Sequence, residues 1–267
     1  MSEKIKVILT GVSGKMGKTI LAGIINEPDI QVVGAVDIKF LGKDIGFFTG
    51  GEPVQIYVEE NLEQVMKDKK PDIMIDFTNP QAVMKNIRTA MNHKVASIIG
   101  TTGLTGHDME EIGALSERNG TPIFIAPNFA LGAVLMMRFA KEASRYFPCV
   151  EIIEKHHDQK MDAPSGTAVK TLELIAEERE EVHQGASHEF ERISGCRGGE
   201  FQGMRVHSIR LPGLVAHQEV IFGGVGQTLT IRHDSLTRES FVPGVLLALK
   251  NILKMKGVVY GLEKLLW

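Results

Sequence analysis

At 267 residues the chain is long enough for one large domain or two ordinary ones, and for a core that needs neither disulfides nor a structural metal. Apolar residues make up 43% and charged residues 24% of it, the balance of a soluble globular protein. A formal charge of −3 argues against a general affinity for nucleic acid or anionic membranes, so neither is expected as a partner. The two cysteines, Cys149 and Cys196, stand far apart in no metal-ligand spacing. That suits a reducing cytosol, and a cytoplasmic protein without a metal is expected. The opening MSEKIKVILTG lacks the features of a signal peptide. No stretch approaches the ~20 apolar residues that span a bilayer.

Strand-like and helix-like segments alternate through the first half. Lys4–Leu9 is a short apolar run, and Leu21, Ile24 and Ile25 then recur at helical spacing over 18–25. Ile30–Val36 is β-branched and ends at Asp37, and the glycine-rich stretch 41–53 reads as a loop. Further buried strands are expected at 72–77, 95–99 and 122–126, with helices at 80–93 and 108–119 between them. Continuous apolar strands alternating with helices imply a parallel sheet covered on both faces. After Pro127 the pattern changes. A helix is expected over 131–147, a strand over 150–154, a helix over 167–184, and a meander of strands over 189–232, hence an α+β domain. A last helix at 241–255 is expected to return to the first domain. The expected division is 1–129 with 238–267, and 130–237.

The strongest local signal follows the first strand: Gly11, Val12, Ser13, Gly14, Lys15, Met16 and Gly17. Glycines there let the backbone turn tightly and approach a pyrophosphate, whose oxygens accept from amides at the helix start. Ser13 occupies the place of the usual middle glycine. Asp37, twenty residues beyond Gly17, ends the next strand, where a carboxylate can accept from ribose hydroxyls. Lys39 is a candidate partner for a 2′-phosphate, so both NADH and NADPH are expected as cofactors. Two further segments end later strands: Gly100, Thr101, Thr102 and Gly103, then Ala126, Pro127, Asn128 and Phe129. Their placement suits a nicotinamide pocket of small residues, backbone polar groups and one aromatic ring.

A second concentration of chemistry is EKHHDQKMDAPSGT, residues 154–167. Histidine moves a proton near neutral pH, as general acid–base catalysis requires. Lys160 can hold a carboxylate or act as an acid. Ser165, Gly166 and Thr167 open a helix whose free amides and positive dipole end favour an anion. Ser165 also suits a plain helix cap, a role compatible with its expected contact to substrate.

These residues resemble a family, the 4-hydroxy-tetrahydrodipicolinate reductases, over nearly the whole chain: GVSGKMG, GTTG, APNF and, most specifically, HHDQKMDAPSGTA. The resemblance implies a Rossmann-type parallel-sheet nucleotide-binding domain and an α+β substrate and oligomerisation domain with a mixed sheet, assembled as a homotetramer. It implies NAD(P)H-dependent reduction of a small cyclic dicarboxylate with loss of water, in lysine and diaminopimelate biosynthesis. His156 matches the general acid/base, and Lys160 the proton donor or carboxylate partner. His157, Gly166 and Thr167 match substrate contacts, and Gly11 to Met16, Asp37, Gly100 to Thr102 and Ala126 to Phe129 match cofactor contacts. The chain departs from the pattern at Asp158 and Gln159, where many members are more basic. It departs again at Ile38, with the basic residue shifted to Lys39. Another Rossmann imine or amino-acid dehydrogenase, or a non-catalytic NAD(H) sensor, are the alternatives.

Overall fold

The computed structural model describes residues 3–180 and 182–266. In chain order its elements are β1 (Ile5–Thr10), α1 (Lys15–Ile24), β2 (Ile30–Val36), α2 (Gly46–Thr49), β3 (Val58–Glu59), α3 (Leu62–Lys69), β4 (Ile73–Asp76), α4 (Pro80–Asn92), β5 (Ala96–Ile99), α5 (Gly106–Asn119) and β6 (Ile123–Ile125). There follow α6 (Leu131–Ala143), β7 (Cys149–His156), α7 (Gly166–Ala176), β8 (Gly199–Phe201), β9 (Met204–Arg210), β10 (Ala216–Gly224), β11 (Gln227–Ser235), α8 (Val242–Ile252) and β12 (Val258–Tyr260). They form two units, Met1–Phe129 with Arg238–Trp267, and Ala130–Thr237.

In the first unit the strands pair in parallel in the order β3-β2-β1-β4-β5-β6-β12. Chain direction through the sheet reverses between β1 and β4. The crevice outside the carboxyl ends of such a pair is where open α/β sheets bind ligands. The helices covering the sheet start where the sequence supplies caps. Asn79 accepts from the Gln81 and Ala82 amides ahead of Pro80, and Thr105 and Asp108 form a reciprocal capping box. Each such cap contributes about 1 kcal/mol. α8 packs on α1, β5 and β6, with the Val242 side chain filling the space that a Cβ on Gly23 would need. A Cβ on Gly17 would stand 2.0 Å from the Gly11 carbonyl oxygen, so only glycine lets α1 lie this close to the turn that precedes it.

In the second unit the order is β11-β10-β7-β9-β8, with β7 and β9 parallel and the other pairs antiparallel. Alternate residues of β7 point inward, and Val150 and Ile152 join Val206, Val220 and Phe222 beneath α6 and α7. Glu154 is the next residue on that inward face, and it is fully buried.

Some boundaries differ from the sequence reading. The helix read over 167–184 ends at Ala176. Beyond it the charged run of Glu177, Glu178 and Arg179 offers no apolar face, and Glu177 and Glu178 pair instead with Lys141 and Arg145. The helix read to Phe147 stops at Ala143, just ahead of Pro148, which disfavours a helical residue before it. Within the stretch read as a loop, α2 forms a single turn because Asp44 accepts from the Gly46, Val54 and Gln55 amides. The first part of the expected meander, up to Gly198, is turns rather than strand.

Two glycine substitutions test this packing. Gly17→Ala should destabilise the protein by about 1–3 kcal/mol, the usual range for overpacking, because the atom it meets is backbone. Gly113→Ala in α5, where an added Cβ meets nothing within 4 Å, should stabilise by about 0.4–1 kcal/mol. Denaturant midpoints check both. A Gly17→Ala protein as stable as its parent removes the close-approach argument.

Candidate active site

The glycine turn is built by two tight constraints. Gly11 has φ +77°, and a Cβ there would lie 2.5 Å from the Phe77 carbonyl oxygen. Its amide donates to the Val36 carbonyl at 2.9 Å, and the Gly14 amide donates back to the Gly11 carbonyl at 3.1 Å. Gly14 is the residue before α1 and provides no side-chain cap, so amides of the first turn are left for a ligand. The Asp37 carboxylate accepts from the Ser13 amide at 2.8 Å and from the Lys39 amide at 3.1 Å, one on each oxygen. A carboxylate accepts about four hydrogen bonds, so roughly two remain for hydroxyls.

These residues line a cavity of about 680 Å³ with Thr10, Lys39, Glu60, Phe77, Thr78 and Asn86. It lies at the carboxyl ends of β1, β2 and β4. Glycine where the backbone must approach, open amides and a cavity-lining carboxylate with acceptor capacity to spare fit a nicotinamide dinucleotide. Val12 is fully buried and offers only its backbone. Gly100, Thr101 and Thr102 follow β5, and Ala126, Pro127, Asn128 and Phe129 follow β6, at the same edge of the sheet. They do not line this cavity. The expected aromatic wall is corrected: the Phe129 ring is buried at 1% exposure against Phe77 and Phe124. Glycine at 100 makes room for the Phe77 ring, which a Cβ would meet at 2.1 Å.

Beneath this edge lies Asp76, a fully buried carboxylate that the sequence reading passed over as the end of a strand. It accepts from the hydroxyls of Thr10 at 2.8 Å, Thr78 at 2.7 Å and Thr101 at 2.7 Å, from the Thr78 amide, and from Asn86 Nδ2 at 2.8 Å. One side chain thereby ties together the segments that leave β1, β4 and β5. Thr101 serves the cleft from below, as a donor to Asp76.

The second constellation is in the other unit. β7 ends at His156, whose Nδ1 lies 2.5 Å from Glu154 Oε2. Arg210, at the end of β9, donates Nη1 to Oε2 at 2.9 Å and Nη2 to Oε1 at 2.7 Å of the same carboxylate. Burial would push the Glu154 carboxyl up, but hydrogen bonds from His156, Arg210 and Ser208 outweigh it and hold the group at about 2, against an ordinary 4.5. The Ser165 amide also reaches Glu154 Oε1, at 3.3 Å. Lys160 Nζ is 2.6 Å from the Asp162 carboxylate, which this ion pair lowers from its ordinary value. Ser165 is buried, and its hydroxyl caps α7 by accepting from the Ala168 amide at 3.2 Å. Gly166 and Thr167 form the first turn of α7, with open space beside Gly166. His157 directly follows β7 and is partly exposed.

The structure therefore brings His156, Lys160 and the start of α7 onto one loop-and-helix edge. It assigns Ser165 a capping role. It adds Glu154 and Arg210, which sequence reasoning missed. The only available signal was Glu154 standing two residues before His156, a spacing that puts both on one face of a strand. Arg210 is distant in sequence and carried no signal.

Comparison with known proteins covers both units. The family described as "Dihydrodipicolinate reductase, N-terminus" matches residues 5–129, and "Dihydrodipicolinate reductase, C-terminus" matches 132–266. The chain is 51% identical to the 4-hydroxy-tetrahydrodipicolinate reductase of Desulfitobacterium hafniense, over 99% of each chain. It is 51% identical to that of Syntrophomonas wolfei, over the full length of both. A solved structure, "Dipicolinate bound Dihydrodipicolinate reductase" from Paenisporosarcina sp. TG-14, superposes with a TM-score of 0.87 at 43% identity, covering 98% of this chain and 99% of that one.

The depressed Glu154 carboxyl has a consequence for acid stability. A group with a folded-state value below its unfolded one stabilises above the unfolded value and loses that contribution as pH falls through the folded value. A fall from 4.5 to about 2 corresponds to about 3 kcal/mol, lost between those pH values. Glu154→Gln should flatten the stability profile across that window in urea titrations at stepped pH. Parallel profiles in the two proteins would remove Glu154 as the acid-sensitive group.

Proposed function

The chain belongs to the dihydrodipicolinate reductase family, and from that premise we propose how its residues carry out the nicotinamide-dependent reduction of 4-hydroxy-tetrahydrodipicolinate to tetrahydrodipicolinate, with loss of water, in lysine and diaminopimelate biosynthesis. The observation that carries the assignment is the His156 ring, held from behind by Glu154 at 2.5 Å, on the same edge as Lys160 and the amide-rich start of α7. When bound, the nicotinamide supplies hydride. His156 holds the proton that the substrate ring takes up, acting from Nε2, since Nδ1 faces Glu154. The Gly166 and Thr167 amides receive one substrate carboxylate, and His157 and Lys160 meet the substrate's remaining polar groups. The Lys160–Asp162 pair is partly exposed. Such pairs are worth 1 kcal/mol or less, so Lys160 exchanges easily from Asp162 to a substrate carboxylate.

Gly11, Val12, Ser13, Gly14, Lys15 and Met16 cradle the pyrophosphate, Asp37 takes the ribose hydroxyls, and Gly100, Thr101, Thr102, Ala126, Pro127, Asn128 and the backbone of Phe129, whose ring is buried, border the nicotinamide. Both NADH and NADPH serve, a reading supported by Lys39 lining the same cavity as Asp37. The working assembly is a homotetramer built on the mixed sheet. Its support is the sheet face turned away from α6 and α7, where Ile153, Ile209 and Ile221 alternate with paired charges such as Lys155 and Glu219. The unpaired thiols of Cys149 and Cys196 support a cytoplasmic site of action.

A steady-state assay with freshly made substrate tests the chemistry. His156→Gln should lower kcat by ~10²–10⁴, the usual worth of a positioned acid, with little change in KM. Lys160→Ala should raise KM and lower kcat together, and dipicolinate should inhibit the parent enzyme competitively. NADH binding should survive both changes. A folded His156→Gln enzyme with native kcat sinks the acid assignment.

The cofactor cradle is tested separately. Gly14 has φ −69°, which valine can adopt, and an added Cβ would crowd the Gly11 carbonyl oxygen at 3.2 Å, so Gly14→Val is compared with its parent by denaturant midpoint before its affinity is read. It should weaken NADH at least ~10-fold, or about 1.4 kcal/mol, in a fluorescence titration. Unchanged affinity would show that this turn does not hold phosphates.

A further inference from the structure

We propose that Glu154 and Arg210 are positioning residues for the reaction, a buried carboxylate and guanidinium that fix the tautomer and aim of the His156 ring. The proposal deepens the reading of His156 as the acid and rests on it.

The argument begins with what each atom can do. An ionised carboxylate only accepts hydrogen bonds. At 2.5 Å from Glu154 Oε2, His156 Nδ1 must therefore be the nitrogen that carries a hydrogen, and Nε2 is left to exchange a proton with a ligand. Without such a partner, a histidine at the end of a strand is free to rotate and to adopt either tautomer. The strand itself sets the spacing, since Glu154 and His156 are two residues apart on β7 and share its inward face.

Glu154 can do this only while ionised, and it is fully buried. Arg210 keeps it so. The β7–β9 register places Arg210 opposite His156 and Ser208 opposite Glu154, so both donors arrive from the neighbouring strand. The guanidinium forks onto both carboxylate oxygens, and Nη2 also donates to the Asp162 carbonyl at 2.7 Å. That second bond ties the catalytic loop to the same anchor. Arg210 Nε is buried without a hydrogen-bond partner, so the guanidinium sits where the Glu154 fork requires and not where all its own donors are met. The other groups around the carboxylate are the Ser165 amide at the start of α7, the Ser208 hydroxyl, and uncharged Gln218 in register on β10. Lys160 and Asp162 on the loop pair with each other. Arg210 is thus the cation committed to Glu154, and the His156 ring is the group that the carboxylate holds in turn.

The Asp162 tie separates this role from that of a surface ion pair. One guanidinium holds both the residue behind the acid and the loop that carries Lys160. Loss of the fork should therefore loosen proton delivery before it affects hydride supply or cofactor binding.

The test uses the full-length enzyme. Histidine ¹⁵N spectra, at a pH where the ring is neutral and assigned by difference against His156→Gln, should show His156 with its hydrogen on Nδ1. In Glu154→Gln, whose amide can donate as well as accept, the tautomers should mix. That variant should lose about 10–10³-fold in kcat, with KM for substrate and affinity for NADH changed less than about 3-fold. Arg210→Lys, which keeps the charge and loses the fork, should show a smaller kcat loss in the same pattern. If Glu154→Gln fails to fold, the parent spectrum and Arg210→Lys still decide. A parent ring with its hydrogen on Nε2 overturns the proposal, as does a folded Glu154→Gln enzyme with native kcat while His156→Gln is impaired. Native kcat in His156→Gln overturns the underlying acid assignment as well.

Discussion

A carboxylate removed from water must be surrounded by donors or it will not stay charged. In the second unit that requirement falls on Glu154, which lies on the apolar face of β7 in direct line with Val150 and Ile152. An aliphatic residue there would extend the core. The glutamate instead commits Arg210 on β9, Ser208 beside it, the Ser165 amide and the His156 ring to one point. The order of strands follows the same need. Placing β9 parallel and next to β7 sets its last residue opposite the last residue of β7, so a fork can close over the carboxylate at the open end of the sheet. Removing one partner of such a buried pair typically costs about 3–5 kcal/mol. The cluster can therefore hold the His156 ring steady while adjoining loop residues stay exposed.

The first unit meets a similar problem with a neutral donor set. Asp76 is equally buried and receives hydroxyls, an amide and a side-chain amide rather than a guanidinium. Its hydroxyl partners come from the ends of three strands, which is the edge where the cofactor cavity opens, and Asn86 reaches it from α4. In both units a carboxylate at the carboxyl end of a strand organises loops of unrelated sequence. The difference in partners suits the ligands. A cleft for an anionic dinucleotide gains from open backbone amides and from polar side chains already saturated by one another. A site that must move a proton gains from an ionised group directly behind a histidine.

Much of this was legible in the sequence because local rules and tertiary demands agreed. Ile30–Val36 is a strand at its read limits, since β-branched residues in an unbroken run suit a buried parallel strand. The glycine turn was legible because its glycines answer steric needs at fixed spacing, as Gly11 and Gly17 show. What was not legible depended on partners distant in the chain. Arg210 lies 56 residues from Glu154, and no pattern within either segment announces the pairing. Helix 167–184 was overextended because periodicity does not reveal that Glu177 and Glu178 are taken by Lys141 and Arg145. α3 was missed because Leu62, Val65 and Met66 are diluted by charge, and β3 and β12 because strands of two or three residues carry no periodicity at all. The direction of the Phe129 ring was not legible for a related reason: an aromatic after a strand can face a ligand or the core, and here the ring packs against Phe77 and Phe124.

Exposure then divides the second site into a fixed part and an exchangeable part. The two cations are alike in exposure, Arg210 at 18% and Lys160 at 21%, but their partners differ: the Glu154 side chain is sealed at 0% and that of Asp162 is 62% exposed. In a partly solvated pair, screening and side-chain entropy leave little net attraction, so Asp162 and Lys160 can part without unfolding anything. The same separation at Arg210 would abandon a buried carboxylate, which is far more costly. Two cations within one short stretch of space are thus assigned opposite tasks by their surroundings alone. Lys160 is the one that can let go of its partner, and Arg210 is the one that must stay for the buried Glu154 carboxylate to remain paired.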